Sequence, residues 1–304
     1  MSTTRDRASL PISVVIPAHN RAEMIGRALA SVSAQAVAPR EVIVVDDCST
    51  DATGAVAAGL GARVVRHEVR RGVGAARNSG LEHATQPWVA LLDSDDEWLA
   101  HHLQTVWALR DGHVLVSATC IGVDDERIYG VPGPRPVRLL GPARVAHPDN
   151  CVPPSAALLR RDVALAAGGF DTELPRCVDL ECWLRILERG NGIATPSITA
   201  IYHVHGDQIS ADRMAMQRTH RAVLERFERR PWCTPALRRR YEGLMVWDEL
   251  RAELAAGRRR AALAGLARSL REPRRLAGIP DTLLWRLRLR RRSARVTRDP
   301  EVAR

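Results

Sequence analysis

The chain contains no lysine. All 45 of its basic residues are arginine, which we interpret as a base-composition bias of the source genome rather than as a functional signal. Aromatic residues are also scarce, with three Tyr and two Phe among 304 residues. Proteins that bind single-stranded nucleic acid combine positive charge with aromatic stacking platforms. Nucleic acid therefore ranks last among the partners that a net charge of +10 suggests.

Long apolar runs and metal-binding cysteine patterns are missing too. No apolar stretch reaches the roughly 20 residues that a membrane-spanning helix needs, and the first ten residues, MSTTRDRASL, lack the apolar core of a secretory signal. The cysteines form no C-x-x-C pair or zinc spacing, so we expect free thiols in a reducing, cytoplasmic environment. They are Cys48, Cys120, Cys151, Cys177, Cys182 and Cys233.

Strand-like apolar runs alternate with helical patterns in the first half of the chain. The runs lie at 12–16, 42–45, 63–66 and 88–92, and the first helix is predicted at about 21–35. Strands separated by helices of this length indicate parallel crossovers in a sheet that is covered on both faces. Ligands of such α/β sheets bind beyond the carboxyl ends of the strands. The polar segments that follow three of the strands are therefore expected to converge on one crevice.

Three aspartates, Asp93, Asp95 and Asp96, follow the last of these runs. Side chains at i and i+2 of a strand end point the same way, which predicts that Asp93 and Asp95 repel each other unless a cation joins them. Aspartates on a turn suit a hard divalent ion such as Mg²⁺ or Mn²⁺, whose usual second partner is a substrate phosphate. The alternative is an Asp-rich turn that caps the next segment.

Two further polar segments carry weaker signals. Asp46 and Asp47 precede a Ser-Thr-Asp run at 49–51, and capping of a helix accounts for one residue of that run but leaves at least one of the two aspartates unexplained. The segment Gly72–Gly80 opens a helix with glycines, which permits close approach to a phosphate or to a neighbouring strand. Its spacing is not that of a dinucleotide-binding fingerprint.

Four motifs together resemble those of the family-2 inverting glycosyltransferases in order and spacing. They are VVIPAHNR at 14–21, VVDDCSTDAT at 44–53, GVGAARNSGL at 72–81 and LLDSDDEW at 91–98. The resemblance covers about residues 11–210. It implies a GT-A fold, a Rossmann-like mixed sheet flanked by helices, in which a nucleotide-sugar donor lies over the amino-terminal half. It also implies a divalent metal, Mn²⁺ or Mg²⁺, at the donor diphosphate.

The resemblance also assigns donor-side residues. It implies that Asp47 contacts the nucleobase, that Asp93 contacts the ribose and that Asp95 binds the metal directly. It implies a uridine or thymidine donor, that is, a UDP- or dTDP-sugar. Further residues of the donor-side motifs expected to bind the nucleotide sugar are Pro17, Ala18, Asn20 and Arg77. For Asn20, Arg77 and the neighbouring Arg21, helix-surface salt bridges are the alternative.

The segment 168–185 is a glycine turn, a loop and then an amphipathic helix. The resemblance implies that Asp179 is the general base of a single displacement, although Val178 stands where the family carries a glutamate. A helix-capping role for Asp179 is the alternative. Glu181 is a rival base, but on a helix it lies about 200° around the axis from Asp179.

Two histidines, His203 and His205, share one face of a predicted strand by period-2 spacing. The resemblance matches His205 to a late family histidine that can approach the metal or the diphosphate, whereas His203 stands where the family often has arginine. A structural hydrogen-bonding role is the alternative for His205.

Charge divides the chain unevenly. Residues 1–210 hold 20 Arg and 24 acidic residues, a net charge of −4, whereas residues 211–304 hold 25 Arg and 11 acidic residues, a net charge of +14. With the resemblance, this predicts a GT-A glycosyltransferase domain over 1–210, with its donor half at about 11–110 and its acceptor and base half at about 111–210. An arginine-rich region over 211–304 follows as a C-terminal helical extension, with its last helix at about 281–292.

The basic region suggests two roles. One is docking on an anionic membrane surface at the inner face of the membrane, where lipid-linked acceptors reside. The other, which ranks slightly higher, is a solvated helical lid or a dimer contact. The acceptor is expected to carry a hydroxyl group and to be a glycan end, a lipid-linked sugar, a natural product or a peptide side chain.

We therefore predict a metal-dependent inverting glycosyltransferase. A non-catalytic homologue that binds a nucleotide sugar or a glycan is the alternative, but all five polar positions of the family pattern are present: Asp47, Asp93, Asp95, Asp179 and His205. A nucleotidyltransferase ranks third, because residues 17–20 lack the glycine-rich loop that such enzymes carry after the first strand.

Overall fold

The computed structural model of the protein describes residues 9–124, 128–130, 137–146, 152–206, 208, 212–255 and 257–270. The strands are β1 (Ser9–Ala18), β2 (Ala38–Asp46), β3 (Arg63–Arg66), β4 (Trp88–Leu91), β5 (Glu97–Trp98), β6 (Leu115–Val123), β7 (Ile128–Gly130), β8 (Arg138–Leu140), β9 (Ala157–Arg160) and β10 (Gly192–His203). The helices of the first 187 residues are α1 (Ile25–Ser33), α2 (Thr53–Gly59), α3 (Val73–His83), α4 (His102–Ala108), α5 (Pro142–Val145), α6 (Arg161–Ala166) and α7 (Val178–Leu187).

The described strands form one mixed sheet in the order β3-β2-β1-β4-β9-β6-β10-β5, with β7 paired to β6 and β8 paired to β10. The first four strands of this order run parallel. β9 is antiparallel to both of its neighbours, and β6 and β10 are parallel to each other. This confirms the predicted α/β architecture with a mixed sheet and places the ends of β1, β2 and β4 at one edge.

Apolar cores lie on both faces of the sheet because successive side chains of a strand point to opposite faces. On β1, Val15 packs into one core with Leu91 and Trp183. Its neighbours Val14 and Ile16 pack into the other core. Near-continuous apolar strands are expected for a sheet that is covered on both sides.

Several element boundaries differ from the sequence prediction, and two of the differences lie at the site. α1 begins at Ile25 rather than at residue 21, and the backbone amides of Arg21 and Ala22 donate to side chains of the segment after β2. β4 ends at Leu91, so the alternation of side chains along a strand does not extend to the aspartates at 93 and 95. Their carboxylates instead take different partners, Arg77 for Asp93 and His205 for Asp95.

The carboxyl-terminal helices are α8 (Arg213–Arg226), α9 (Pro235–Ala255) and α10 (Arg259–Leu270). Side chains of α8 and the start of α9 share the core that contains Trp183 of α7, among them Val223, Phe227 and Leu237. The predicted last helix at 281–292 lies outside the described residues. Within the described part of the chain, no helix is both long and apolar enough to cross a membrane.

Candidate active site

The loops that follow β1 and β2 are tied together at the edge of the sheet. The Asn20 amide donates to Ser49 Oγ at 2.9 Å, and the Thr50 amide donates to Asn20 Oδ1 at 2.8 Å. Asn20 has a φ of 52°, a left-handed conformation that asparagine tolerates better than most residues. Pro17 and Ala18 are the last residues of β1, and the Ala18 carbonyl accepts the Asp47 amide at 2.8 Å. Of these three residues predicted to bind the nucleotide sugar, Ala18 therefore contacts Asp47 through the backbone, and Asn20 contacts Ser49 and Thr50 in the same segment.

Asp47 is 3% exposed, and its carboxylate joins β2 to the loop before α3. His67 Nδ1 and the Arg71 amide donate to Oδ1 at 2.7 and 2.8 Å, and the Gly72 amide donates to Oδ2 at 2.7 Å. Burial raises the pKa of Asp47, but these hydrogen bonds outweigh it and hold the pKa below its usual value of 3.8. Asp47 is thus an anion whose orientation is fixed, with part of its acceptor capacity left, since a carboxylate has about four acceptor positions.

Arg77 brings the donor side into contact with the region of Asp179. Its guanidinium is 4% exposed, donates to Asp93 Oδ1 at 2.7 Å and lies 5.5 Å from the centre of the Phe170 ring. Burial lowers the pKa of Arg77, but the charges of Asp93 and Asp179 raise it to a net value above normal. Arg77 Nε is buried without a hydrogen-bond partner among the described residues. The sequence assigned Arg77 to the nucleotide sugar; the structure shows in addition that it holds Asp93.

Asp95 and His205 meet across 110 residues of sequence. His205 Nε2 donates to Asp95 Oδ2 at 2.9 Å, and both side chains are partly exposed. The turn that carries Asp95 is held from a third direction, because Arg27 of α1 donates to the Asp95 carbonyl at 2.7 Å. The two predicted metal-binding residues are therefore neighbours at the carboxyl edge of the sheet.

The third aspartate of the cluster, Asp96, is 1% exposed. It accepts the Ser155 hydroxyl and, at 3.2 Å, the His203 amide. Burial and the charges of Asp93 and Asp95 raise its pKa well above the usual value. His203 turns its ring to Glu97, with Nε2 at 2.8 Å from Oε1. The contacts of Asp96 and His203 thus fix the turn, while the side chain of Asp95 remains partly exposed to solvent.

Asp179 lies in the first turn of α7, where the sequence places it. Burial raises its pKa, the charge of Arg77 opposes that rise, and the net pKa is above 3.8. Arg185 donates to both oxygens of Glu181, at 2.7 and 2.5 Å. Because Glu181 is committed to this pair, Asp179 is the better placed carboxylate for proton transfer.

The side chains of Asp95 and His205 offer a carboxylate oxygen and an imidazole nitrogen, which are suitable ligands for a divalent ion. Mg²⁺ and Mn²⁺ commonly bind one or two protein ligands and complete their coordination with substrate phosphates and water. Among the described residues, no group of three or more His, Cys, Asp or Glu side chains could hold an ion by itself. Asp95 and His205 could therefore hold such an ion only together with ligands that the protein does not supply, such as phosphate or water.

Several residues of this site carry no recognisable signal in the sequence. His67 and Ser155 contact Asp47 and Asp96 from 20 and 59 positions away. Phe170 adjoins Arg77, and Arg27 supports the Asp95 turn. Of these four residues, only Phe170 lies in a segment whose motif points to the site, the glycine turn and loop of 168–185.

Comparison with known proteins identifies the family to which this chain belongs. The model of the family described as "Glycosyl transferase family 2" matches residues 13–166, half of the chain. The chain therefore belongs to glycosyl transferase family 2, and the resemblance drawn from its motifs is confirmed.

Several curated proteins are similar to this chain. An uncharacterised protein of Mycobacterium tuberculosis is 31% identical over 235 residues, which are 71% of this chain and 73% of the relative. The succinoglycan biosynthesis protein ExoO of Rhizobium meliloti is 35% identical over 139 residues, 45% of this chain and 38% of its own. The Escherichia coli protein WfgD, a UDP-Glc:alpha-D-GlcNAc-diphosphoundecaprenol beta-1,3-glucosyltransferase, is 32% identical over 96 residues, 31% of this chain and 38% of its own. The chain thus spans under two fifths of the latter two.

Solved structures show the same fold. Staphylococcus aureus TarS (residues 1–349) in complex with UDP-GlcNAc superposes with a TM-score of 0.62 at 19% identity, over 78% of this chain and 71% of that chain. The mannosyltransferase PcManGT of Pyrobaculum calidifontis, in complex with GDP-Man and Mn²⁺, gives 0.60 at 23% identity, over 91% and 84%. The GT-A fold class predicted from the sequence is confirmed.

Proposed function

We propose that the protein is a metal-dependent inverting glycosyltransferase that moves a sugar from a nucleotide-diphosphate donor to a hydroxyl group. The observation that carries this proposal is the placement of Arg77. It donates to Asp93 on the donor side and interacts electrostatically with Asp179 in α7. One buried cation thus sets the donor-side carboxylate and the proposed base beside each other.

A UDP- or dTDP-sugar is the proposed donor. The uridine nucleotides of TarS and WfgD support a pyrimidine base, whereas PcManGT was solved with GDP-Man. Asp47 would contact the nucleobase with the acceptor capacity that His67 and the two amides leave free, and Asp93 would contact the ribose. Pro17, Ala18 and Asn20 would line the nucleotide.

In the proposed reaction, Asp179 removes the proton of the acceptor hydroxyl as its oxygen forms a bond to the anomeric carbon. The bond from that carbon to the diphosphate oxygen breaks on the opposite face, so the configuration inverts and the nucleoside diphosphate leaves. A base raised in pKa by burial is suited to this transfer, and a positioned base contributes about 10²- to 10⁴-fold. When bound by Asp95 and His205, Mn²⁺ or Mg²⁺ would supply positive charge for the leaving diphosphate.

The acceptor we propose is a hydroxyl on a glycan or a lipid-linked sugar. WfgD acts on a diphosphoundecaprenol-linked sugar by its name, and ExoO takes part in succinoglycan biosynthesis by its name. A lipid-linked acceptor would place the enzyme in the cytoplasm or at the inner face of the membrane.

The test is a panel of UDP-, dTDP- and GDP-sugars with Mn²⁺ or Mg²⁺, each with glycan and lipid-linked acceptors. Wild type is compared with Asp179→Asn, Asp95→Ala and the control Asp111→Asn, whose side chain is 83% exposed outside the site. We expect Asp179→Asn to bind the donor normally but to turn over about 10²- to 10⁴-fold more slowly. Asp95→Ala should lose its response to metal, and Asp111→Asn should match wild type.

Full turnover by Asp179→Asn would refute its role as the base, and a product with retained configuration would refute the single displacement. Binding of a donor that no acceptor or metal converts would favour the non-catalytic homologue instead.

A further inference from the structure

Asp179 stands at the end of a loop, residues 170–177, which we call the base loop. The loop joins the glycine turn after α6 to the first residue of α7. On its donor side it is fixed to α3, because Asn78 donates to the Phe170 carbonyl at 2.8 Å and the Phe170 amide donates back at 2.6 Å. The position of Asp179 therefore depends on what holds the rest of this loop.

Helix α8 holds the base loop near its start. Arg226, in the last turn of α8, donates to Asp171 Oδ2 across 55 residues of sequence. Burial raises the pKa of Asp171, but the bonds from Arg226 and the Glu173 amide lower it to a net value below normal. Asp171 is thus an anion with its side chain 20% exposed, which strengthens the contact relative to a freely solvated pair.

The same helix holds the end of the base loop. Cys177, two residues before Asp179, is 6% exposed and has a φ of 54°, a left-handed conformation that is costly for a residue with a side chain. Its Sγ donates to the Met216 carbonyl in the first turn of α8 at 3.5 Å. Arg176 lies 3.9 Å from Asp212, the residue that caps α8. A strained backbone persists only where its surroundings hold it, and here the surroundings include α8.

Helix α8 is itself anchored in the core. Val223, Leu224 and Phe227 are at most 5% exposed and pack into the cluster that contains Trp183 of α7. A helix fixed by its apolar face can therefore support the loop that it contacts at both ends.

We propose that α8 positions the base of the transfer reaction, with Arg226 as its principal positioning residue. The helix follows the part of the chain that the family model matches. This inference rests on the proposed role of Asp179. Displacing a catalytic group by about 1 Å can cost about 10²-fold in rate, so loosening the base loop is expected to slow the chemical step without weakening donor binding.

The test compares Arg226→Met with Arg221→Met. Arg221 is on the same helix, is also 45% exposed and also pairs with a carboxylate, but its partner Glu225 belongs to α8 itself. We expect Arg226→Met to lower kcat at least about tenfold while the Kd for the nucleoside diphosphate stays within about twofold. Arg221→Met should match wild type, and Arg226→Lys should recover part of the rate.

A second readout does not depend on turnover. Burial raises the pKa of the Cys177 thiol to about 12, so this thiol should resist alkylation in wild type. Alkylation is measured residue by residue with mass spectrometry. It should increase at Cys177 in Arg226→Met but not in Arg221→Met. The two variants should have equal thermal unfolding midpoints, so that the difference in labelling reports the base loop and not global unfolding. The inference would be overturned if Arg226→Met kept the kcat and the Cys177 labelling of the wild type. It would also be overturned if Arg221→Met lost as much kcat as Arg226→Met.

Asp179→Asn measured in the same series separates this inference from the proposed function. If Asp179→Asn is inactive and Arg226→Met is fully active, α8 is not a positioning element but the base assignment stands. If Asp179→Asn is fully active, the base assignment fails, and the positioning inference fails with it.

Discussion

At the scale of single residues, the aspartates of this site differ in surroundings more than in sequence context. Asp47 accepts hydrogen bonds from a histidine and two backbone amides, which hold it as an anion. Asp96 lies beneath two like charges, and burial keeps its pKa high. Asp179 lies between these extremes, because burial raises its pKa and Arg77 partly offsets the rise. These surroundings agree with the proposed roles of Asp47 in nucleotide binding and of Asp179 in proton transfer, and they show Asp96 as a support of the turn.

The raised pKa of Asp179 predicts a cost in stability. A carboxyl group whose folded-state pKa exceeds its unfolded value stabilises the fold below the unfolded value and loses that contribution as pH rises through the folded value. At pH 7 the wild type therefore holds an unfavourable buried charge. We expect Asp179→Asn to be more stable than wild type at pH 7, and this gain to vanish below pH 3.8, where wild type is protonated in both states.

Urea denaturation of wild type and Asp179→Asn, at pH 7 and at a pH below 3.8, measures this difference in stability. Asp111→Asn, at an exposed position, should leave stability unchanged at either pH. A variant of Asp179 that is less stable at pH 7, or a gain that does not depend on pH, would contradict the argument.

At the scale of elements, α3 connects the two halves of the site. Arg77 and Asn78 project from it to Asp93 and Phe170. Its other face lies directly on β1, where a Cβ built on Gly80 would stand 2.2 Å from Val15 Cγ1. Glycine at this position sets the distance between helix and strand, and thereby the position of Arg77.

We expect Gly80→Ala to destabilise the protein by about 1–3 kcal/mol through overpacking, and to lower activity because α3 carries Arg77. Gly59→Ala in α2 is the matched control, since a Cβ built on Gly59 would meet nothing within 4 Å. That substitution should be neutral or stabilise by up to about 1 kcal/mol. Thermal or chemical unfolding measures the stability of both variants. Equal stability of the two would show that α3 can shift away from β1 without cost.

At the scale of the whole molecule, the charge is divided between two regions of the chain. The net charge is −4 over residues 1–210 and +14 over residues 211–304. The described part of the second region forms the helices α8 to α10, in agreement with the predicted helical extension. Beyond the described residues, apolar and basic residues alternate within 283–292, a pattern that fits either a strand or an irregular amphipathic helix.

Docking on an anionic membrane ranks below a lid or a dimer contact for this region, and a binding assay tests it directly. Each arginine near an anionic surface contributes about 1 kcal/mol, and salt screens the attraction. A docking role requires the full chain to float with vesicles that contain anionic lipid at low salt, to dissociate as salt increases, and not to bind zwitterionic vesicles. A chain that ends at residue 280 should bind more weakly. Binding that is absent, or unchanged by this truncation, would favour a lid or a dimer contact.

The sequence by itself determined the alternation of strands and helices in the first half of the chain, the α/β class and the positions of the four motifs. These features are local, because burial on two faces of a sheet or one face of a helix leaves a periodic record in adjacent residues. Asp95 and His205 could be paired because both match motifs of one family. The sequence also placed Asp179 at the start of its helix, and the structure agrees.

The tertiary structure alone decided which distant side chains meet. It assigned His67 to Asp47, Ser155 to Asp96 and Arg226 to Asp171. None of these partners follows a periodic rule, because each contact depends on how whole elements pack and not on the residues next to it. For the same reason, the pKa of each aspartate depends on burial and on charges from remote segments, which only the folded chain brings together.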